Sequence, residues 1–149
     1  MNDINIKQAT NDDISKLIAL DEVSFTKPWN FQMFTDEIKK DYAYYYLAEI
    51  DNIPVGYIGI WCIYETSELI RIATHPDYSN KGIGNSLIKK ALKTAYEKQC
   101  ETMLVEVNCN NTAAQALYLK NNFSQISIRK GYYDGEDAVI MQTGTESLR

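Results

Sequence analysis

The sequence predicts a mixed α/β fold in which helices cover a central sheet, and three observations carry that reading. The hydrophobic patterns follow the order strand, two helices, three strands, helix, strand, helix, two strands. The stretch from Leu69 to Tyr96 reads as a β-branched strand, a glycine turn and a long amphipathic helix. A length of 149 residues, with 45% hydrophobic and 23% charged composition, is that of an ordinary globular chain with a real core, so residues 1–149 are read as one domain.

Residues 4–8 carry the pattern of a short first strand. Thr10-Asn11-Asp12-Asp13 supplies a helix start with acidic residues in the first turn, and Ile14, Leu17 and Ile18 share the face that follows. Lys27-Pro28-Trp29-Asn30 breaks this helix after Phe25 and begins a second, whose apolar stripe is Phe31, Phe34 and Ile38. The aromatic cluster Phe25, Trp29, Phe31 and Phe34 reads first as packing, with the wall of a substrate groove as its functional alternative. Runs at 42–50 and 54–64, rich in Tyr, Ile and Val, flank Asp51-Asn52-Ile53-Pro54 and predict an antiparallel hairpin. A third run at 68–74 enters the glycine turn. Beyond it come a helix to about Lys98, a strand at 102–108, a helix from Thr112 to about Asn121, and closing strands near 123–132 and 137–143. The chain shows no internal repeat, low-complexity tract or linker.

Charge and cysteine usage narrow the function classes. A net charge of −5 and a pI near 4.9 disfavour non-specific nucleic-acid binding. Cys62, Cys100 and Cys109 are odd in number and follow no metal-ligand spacing, so they read as reduced thiols of a cytoplasmic protein, with no metal implied. There is no signal peptide, lipidation box or run of roughly 18 apolar residues, which predicts a protein neither secreted nor inserted in a membrane.

The glycine turn is the first place where chemistry shows. Its surroundings read Ile72-Ala73-Thr74-His75-Pro76-Asp77-Tyr78-Ser79-Asn80-Lys81-Gly82-Ile83-Gly84-Asn85. Gly82 and Gly84 place no side chain where backbone amides would approach a ligand. The helix beyond keeps Leu87, Ile88, Ala91, Leu92, Ala95 and Tyr96 on one face. A turn opening such a helix aims N–H groups and the positive end of the helix dipole at one point, an anion site suited to a pyrophosphate. The spacing is that of neither a Walker loop nor the longer G-x-G-x-x-G fingerprint, because position 87 is Leu. His75, beside Pro76 at a strand exit, reads as a polar loop residue and stays outside the catalytic set.

The second place is Leu104-Val105-Glu106-Val107-Asn108-Cys109-Asn110-Asn111. Alternation puts Leu104, Glu106 and Asn108 on one face of a strand and Val105 and Val107 on the other. A carboxylate in a central strand must be hydrogen-bonded or face a cleft, where it is a candidate general base; the bland alternative is a strand-end glutamate paired with a lysine. Asn111 reads as the cap of the helix Thr112-Ala113-Ala114-Gln115-Ala116-Leu117-Tyr118. Its three alanines allow close packing or room for a thin ligand. Tyr118 is either a core residue with a satisfied hydroxyl or an acid facing the same cleft as Glu106.

The glycine turn resembles the acetyl-CoA loop of the GNAT acetyltransferases, Arg/Gln-x-x-Gly-x-Gly/Ala, with Ser79 in place of the Arg or Gln. Three further blocks resemble the RimI branch of that family, the ribosomal-protein-alanine N-acetyltransferases. The pattern Leu-Glu-Val-Arg-x-Ser-Asn-x-x-Ala-x-x-Leu-Tyr-x-x-x-Gly-Phe is met by Val105-Glu106-Val107-Asn108-Cys109-Asn110-Asn111, then Leu117-Tyr118 and Asn122-Phe123. A Pro-Trp segment is met by Pro28-Trp29. Arg-x-x-Tyr-Tyr with Glu-Asp-Ala and Met is met by Arg129-Lys130-Gly131-Tyr132-Tyr133, Glu136-Asp137-Ala138 and Met141. The resemblance runs from about residue 4 to 142.

That resemblance implies the GNAT fold, a mixed and mostly antiparallel sheet flanked by helices, and an enzyme that moves an acetyl group from acetyl-CoA to a protein N-terminal α-amine by direct attack. It implies Glu106 as proton acceptor and Tyr118 as proton donor to the CoA sulfur. The backbone of Ile72, Ala73 and Thr74 would hold the pantetheine arm, Asn80, Lys81, Gly82, Ile83, Gly84 and Asn85 would wrap the pyrophosphate, and Asn111 would contact CoA. Trp29, Tyr132 and Tyr133, the last two in the turn between the closing strands, would face the acceptor, although hairpin packing is a rival role for the tyrosines. The implied acceptor is the N-terminal alanine of protein eighteen of the small ribosomal subunit, with no nucleic acid or membrane contacted directly. Asn108 replaces the block's Arg and Asn122 its Gly, and the first bears on the acceptor groove. A different protein terminus, a small amine, or a non-catalytic acyl-CoA-binding module are the alternatives.

Overall fold

A computed structural model describes residues 3–145, apart from the side chain of Tyr133. Among them are seven strands hydrogen-bonded in the order β1-β2-β3-β4-β5-β7-β6. In chain order the elements are β1 (Asn5–Gln8), α1 (Ile14–Ser24), α2 (Phe31–Ile38), β2 (Ala43–Ile50), β3 (Ile53–Ile63), β4 (Thr66–Thr74), α3 (Ile83–Glu97), β5 (Thr102–Asn108), α4 (Thr112–Lys120), β6 (Ser124–Tyr133) and β7 (Glu136–Gly144). The predicted order is met throughout, with boundaries displaced by a residue or two. The predicted helix start at Thr10–Asp13 takes the form of a short 3₁₀ turn at Asn11–Asp13, and a second such turn at Pro76–Tyr78 is an addition that the pattern did not announce. β4 and β5 run parallel, while β1–β2, β2–β3, β5–β7 and β6–β7 are antiparallel. The described residues fall into two compact units, one running to Trp61 and resuming at Ile70–Ala91, the other formed by Cys62–Leu69 and the chain from Leu92.

In the first unit, Thr10 and Asp13 form a capping box: Thr10 accepts from the Asp12 amide, and Asp13 Oδ2 accepts from the Thr10 amide at 2.9 Å. The core gathers Ile14, Leu17 and Leu20 of α1, Phe34 of α2, Tyr45, Leu47 and Tyr57 of the hairpin, and Ala73 of β4. Asn30 caps α2 by accepting from the Met33 amide at 2.9 Å. The expected stripe of α2 needs correction, because Phe31 is 61% exposed while Phe34 is fully buried. Phe31 is the first residue after that cap, and the inward face of α2 is taken by Phe34 and Glu37. The β2–β3 hairpin turns on Asp51 and Asn52 with φ of 52° and 66°, the left-handed pair that matches strand twist in a two-residue hairpin.

Close packing in this unit depends on Gly56 of β3. A Cβ there would lie 2.8 Å from the Ala73 carbonyl oxygen, 2.9 Å from Ile83 Cγ2 and 3.2 Å from Leu87 Cδ1. The missing side chain thus lets the start of α3 approach the end of β4. Leu87, Ile88, Ala91, Leu92 and Ala95 are buried along α3, as its periodicity predicts.

In the second unit, Thr66–Glu68 of β4 pair with Thr102–Leu104 of β5, and β5 pairs along its whole length with β7. Met103, Val105 and Val107 are buried while Leu104, Glu106 and Asn108 are half-buried, so the predicted two-residue alternation holds. The turn between β6 and β7 is Asp134-Gly135, with φ of 47° and 91°, which moves Tyr132 and Tyr133 from the expected turn to the end of β6.

Candidate active site

The candidate anion-binding loop lies in the first unit. Gly82 has φ of +79°, and a Cβ there would meet nothing within 4 Å, so its backbone stands open to whatever approaches. The Gly82 carbonyl accepts from the Ser86 amide at 3.0 Å and so begins α3. The amides of Ile83, Gly84 and Asn85 therefore sit in the first turn, where no carbonyl of the helix can reach them. Asn80 holds φ of 63°, a left-handed position that asparagine tolerates, and Lys81 is exposed beside it. Open amides, a dipole end and one lysine form a cradle suited to a diphosphate. The Ala73 carbonyl and the Ile83 side chain both close on the backbone of Gly56. His75 caps its own turn, with Nδ1 accepting from the Asp77 amide at 3.1 Å.

Trp29 belongs to a network that sequence reasoning missed. Asp21, fully buried, accepts from Arg71 Nη2 at 2.7 Å, from Arg71 Nε at 3.2 Å, from the Trp29 amide at 2.8 Å and from the Tyr57 hydroxyl. The Arg71 guanidinium lies 3.8 Å from the centroid of the Phe25 ring and 4.6 Å from that of Trp29. Burial and the Asp21 hydrogen bond both raise the pKa of Tyr57, which keeps that hydroxyl a donor. Arg71 precedes Ile72 in β4, so this network joins the aromatic α1–α2 loop to the strand proposed for pantetheine. A signal existed: Asp21 falls on the stripe of Ile14 and Leu17, where an acid must find a partner.

The catalytic candidates lie in the second unit. Glu106 Oε1 sits 3.0 Å from Nη2 of Arg129, with the glutamate 24% and the arginine 51% exposed. Tyr118 is buried, and its place is fixed from behind by the end of α4. There the Phe123 amide donates to the Tyr118 carbonyl at 3.0 Å and the Asn122 amide to that of Leu119 at 3.1 Å, a Schellman motif. The accompanying apolar contact is Tyr118 against Phe123, with ring centroids 5.5 Å apart. Asn122 has φ of 69°, which explains its standing in place of Gly: the left-handed position accepts either residue. Asn111 accepts from the Ala114 amide at 3.1 Å, the cap expected of it. Gln115 Nε2 donates to the Asn108 and Cys109 carbonyls at 3.2 and 3.0 Å, tying α4 to the end of β5. Asn108, where the block has Arg, spends its side-chain oxygen on the Asn110 amide at 2.8 Å. Tyr132 is half-exposed with Arg129 over its ring, whereas the Tyr133 side chain lies outside the described residues. Burial, then the neighbouring Cys100, push the Cys62 thiol up to about 12, which leaves it protonated and a poor nucleophile near neutrality.

The acetyltransferase (GNAT) family model matches residues 14–123, and the chain belongs to that family. It is 35% identical over 133 residues to a candidate ribosomal protein bS18-alanine N-acetyltransferase of Bacillus subtilis (strain 168), covering 87% of this chain and 88% of that protein. It is 31% identical over 153 residues to an N-alpha-acetyltransferase of Saccharolobus solfataricus, covering 93% and 92%. The crystal structure of the Escherichia coli ribosomal-protein bS18-alanine N-acetyltransferase matches with a TM-score of 0.88 at 24% identity, over 96% of this chain and 94% of that one, which establishes the shared fold. The fold is thus the GNAT fold, RimI-like in its relatives, and the protein is an acetyl-CoA-dependent N-acetyltransferase. Among the described residues no helix is long and apolar enough to cross a membrane.

Proposed function

We propose that this chain, as one domain in the cytoplasm, acetylates protein N-termini and that its acceptor is the N-terminal alanine of ribosomal protein bS18. The observation that carries the proposal is the 35% identity to the Bacillus subtilis protein over most of both chains. The 31% identity to the archaeal N-alpha-acetyltransferase favours a second reading, a different protein terminus.

Acetyl-CoA supplies the thioester, its diphosphate held by residues 80–85 and its pantetheine arm by the backbone of Ile72, Ala73 and Thr74, with Asn111 beside it. Glu106 takes a proton from the acceptor ammonium, which at a pKa of about 8 yields it readily to a modest base. The freed lone pair attacks the acetyl carbonyl; as the tetrahedral centre collapses the C–S bond breaks, Tyr118 protonates the departing sulfur, and the proton left on the new amide nitrogen passes to the phenolate. Trp29, Tyr132 and Tyr133 hold the acceptor peptide. No acyl-enzyme is needed, and the one histidine is engaged in its own turn rather than activating a thiol.

The test is acetyl transfer to a peptide bearing the bS18 N-terminus, followed by mass spectrometry, against peptides with other first residues and a polyamine panel. The bS18 peptide is expected to be the best substrate, and a preference for another terminus or for a polyamine refutes the assignment. Glu106→Gln should lower kcat by about 10²–10⁴ while acetyl-CoA binding by calorimetry is retained; full turnover in that variant removes Glu106 from its role.

A further inference from the structure

The ion pair of Glu106 crosses a strand. β7 lies between β5 and β6, so Arg129 on β6 reaches Glu106 on β5 over β7. Its cross-strand neighbour there is Ala138, which also opposes Asn108, so a small side chain underlies the path. The guanidinium is held at two points, Oε1 of Glu106 at 3.0 Å and the Tyr132 ring at 4.8 Å from the centroid. Glu68 on β4 opposes Leu104 and so shares the face of Glu106. Burial and the Glu106 charge raise the pKa of Glu68, and Arg129 offsets them in part. One arginine thus serves a patch with two carboxylates.

We propose that Arg129 is a built-in stand-in for the acceptor's ammonium: it occupies Glu106 until an incoming α-ammonium displaces it, and the Tyr132 ring keeps the displaced guanidinium. This rests on the reading of Glu106 as proton acceptor. The two cations exchange charge for charge, so Glu106 is never left without a counter-charge. They differ in one respect. A guanidinium does not give up its proton in proteins, whereas an α-ammonium with a pKa of about 8 does. The Arg129 pair is therefore inert, and only after displacement does a proton pass from the acceptor nitrogen to Glu106 and leave the nitrogen lone pair free. Because the arginine competes from within the chain, it raises the acceptor concentration needed for half-saturation and leaves cofactor binding untouched.

The test is steady-state kinetics of the full chain with an alanine-initiated peptide, comparing Arg129→Gln, Arg129→Lys and Glu106→Gln. Arg129→Gln should lower the acceptor KM about two- to fivefold, the weight of a half-exposed ion pair, with the acetyl-CoA KM unmoved. Arg129→Lys, which keeps a competing cation, should hold the acceptor KM near its parent value. An acceptor KM that stays or rises in Arg129→Gln overturns the proposal, as does a fall equally large in Arg129→Lys. If Glu106→Gln abolishes turnover while Arg129→Gln leaves the acceptor KM unchanged, only the stand-in fails; if Glu106→Gln retains full turnover, the reading beneath it fails.

Discussion

Asp21→Asn is a nearly isosteric change whose effect follows from counting donors. The carboxylate accepts from Arg71, from the Trp29 amide and from the Tyr57 hydroxyl, and it is fully buried. Asparagine keeps one oxygen and turns the other into a donor aimed at donors. It also leaves the Arg71 guanidinium without its counter-charge, in a side chain only 17% exposed. Removing one partner of a buried pair costs about 3–5 kcal/mol, and the partial exposure of Arg71 favours the lower end. About 3 kcal/mol is expected, which for a chain of this size moves Tm down by about 6–12 °C. Urea and thermal unfolding of the parent and variant measure it. A cycle with Arg71→Met should show a coupling of at least about 1 kcal/mol, because the second change removes the stranded charge. A loss below about 1 kcal/mol in Asp21→Asn, or strict additivity in the cycle, would refute the assignment of this network as the tie between the α1–α2 loop and β4.

Two further outcomes follow from geometry already given. Gly56→Ala forces its Cβ against the Ala73 carbonyl oxygen and Ile83; a cost of about 1–3 kcal/mol is expected, with weaker acetyl-CoA binding by calorimetry, and unchanged affinity would show that this contact does not set the loop. For Asp13, burial raises the pKa, but the Thr10 amide and the lysines Lys7 and Lys16 outweigh it and hold the folded carboxyl below its ordinary 3.8. Its stabilisation is therefore present above that value and is lost as pH falls through the lower folded one. Asp13→Asn should thus destabilise the protein by about 1 kcal/mol near neutrality, and the gap from the parent should close in strong acid. A gap that persists at low pH contradicts the linkage.

What the sequence could and could not announce divides along physical lines. The inward and outward faces of β5 were legible because period-two alternation is local, and the α3 face was legible for the same reason at helical period. Asn111 as a cap, and the helix start at Thr10–Asp13, required only neighbours within a few residues. The partner of Glu106 was not legible, because Arg129 reaches it only through the non-sequential order β5-β7-β6. Asp21 and Arg71 lie 50 positions apart and meet only once α1 is laid on the sheet. The placement of Tyr132 failed for a smaller reason: Asp134-Gly135 takes the turn, and β6 runs on to it.

The cap at the end of α4 separates two things that a helix usually couples. Tyr118 is anchored by Asn122 and Phe123 on its inner side, while Ala113, Ala116 and Leu119 stand exposed on the outer one. Drift or design can therefore remodel that outward surface, in bulk or in polarity, and the phenol will keep its station.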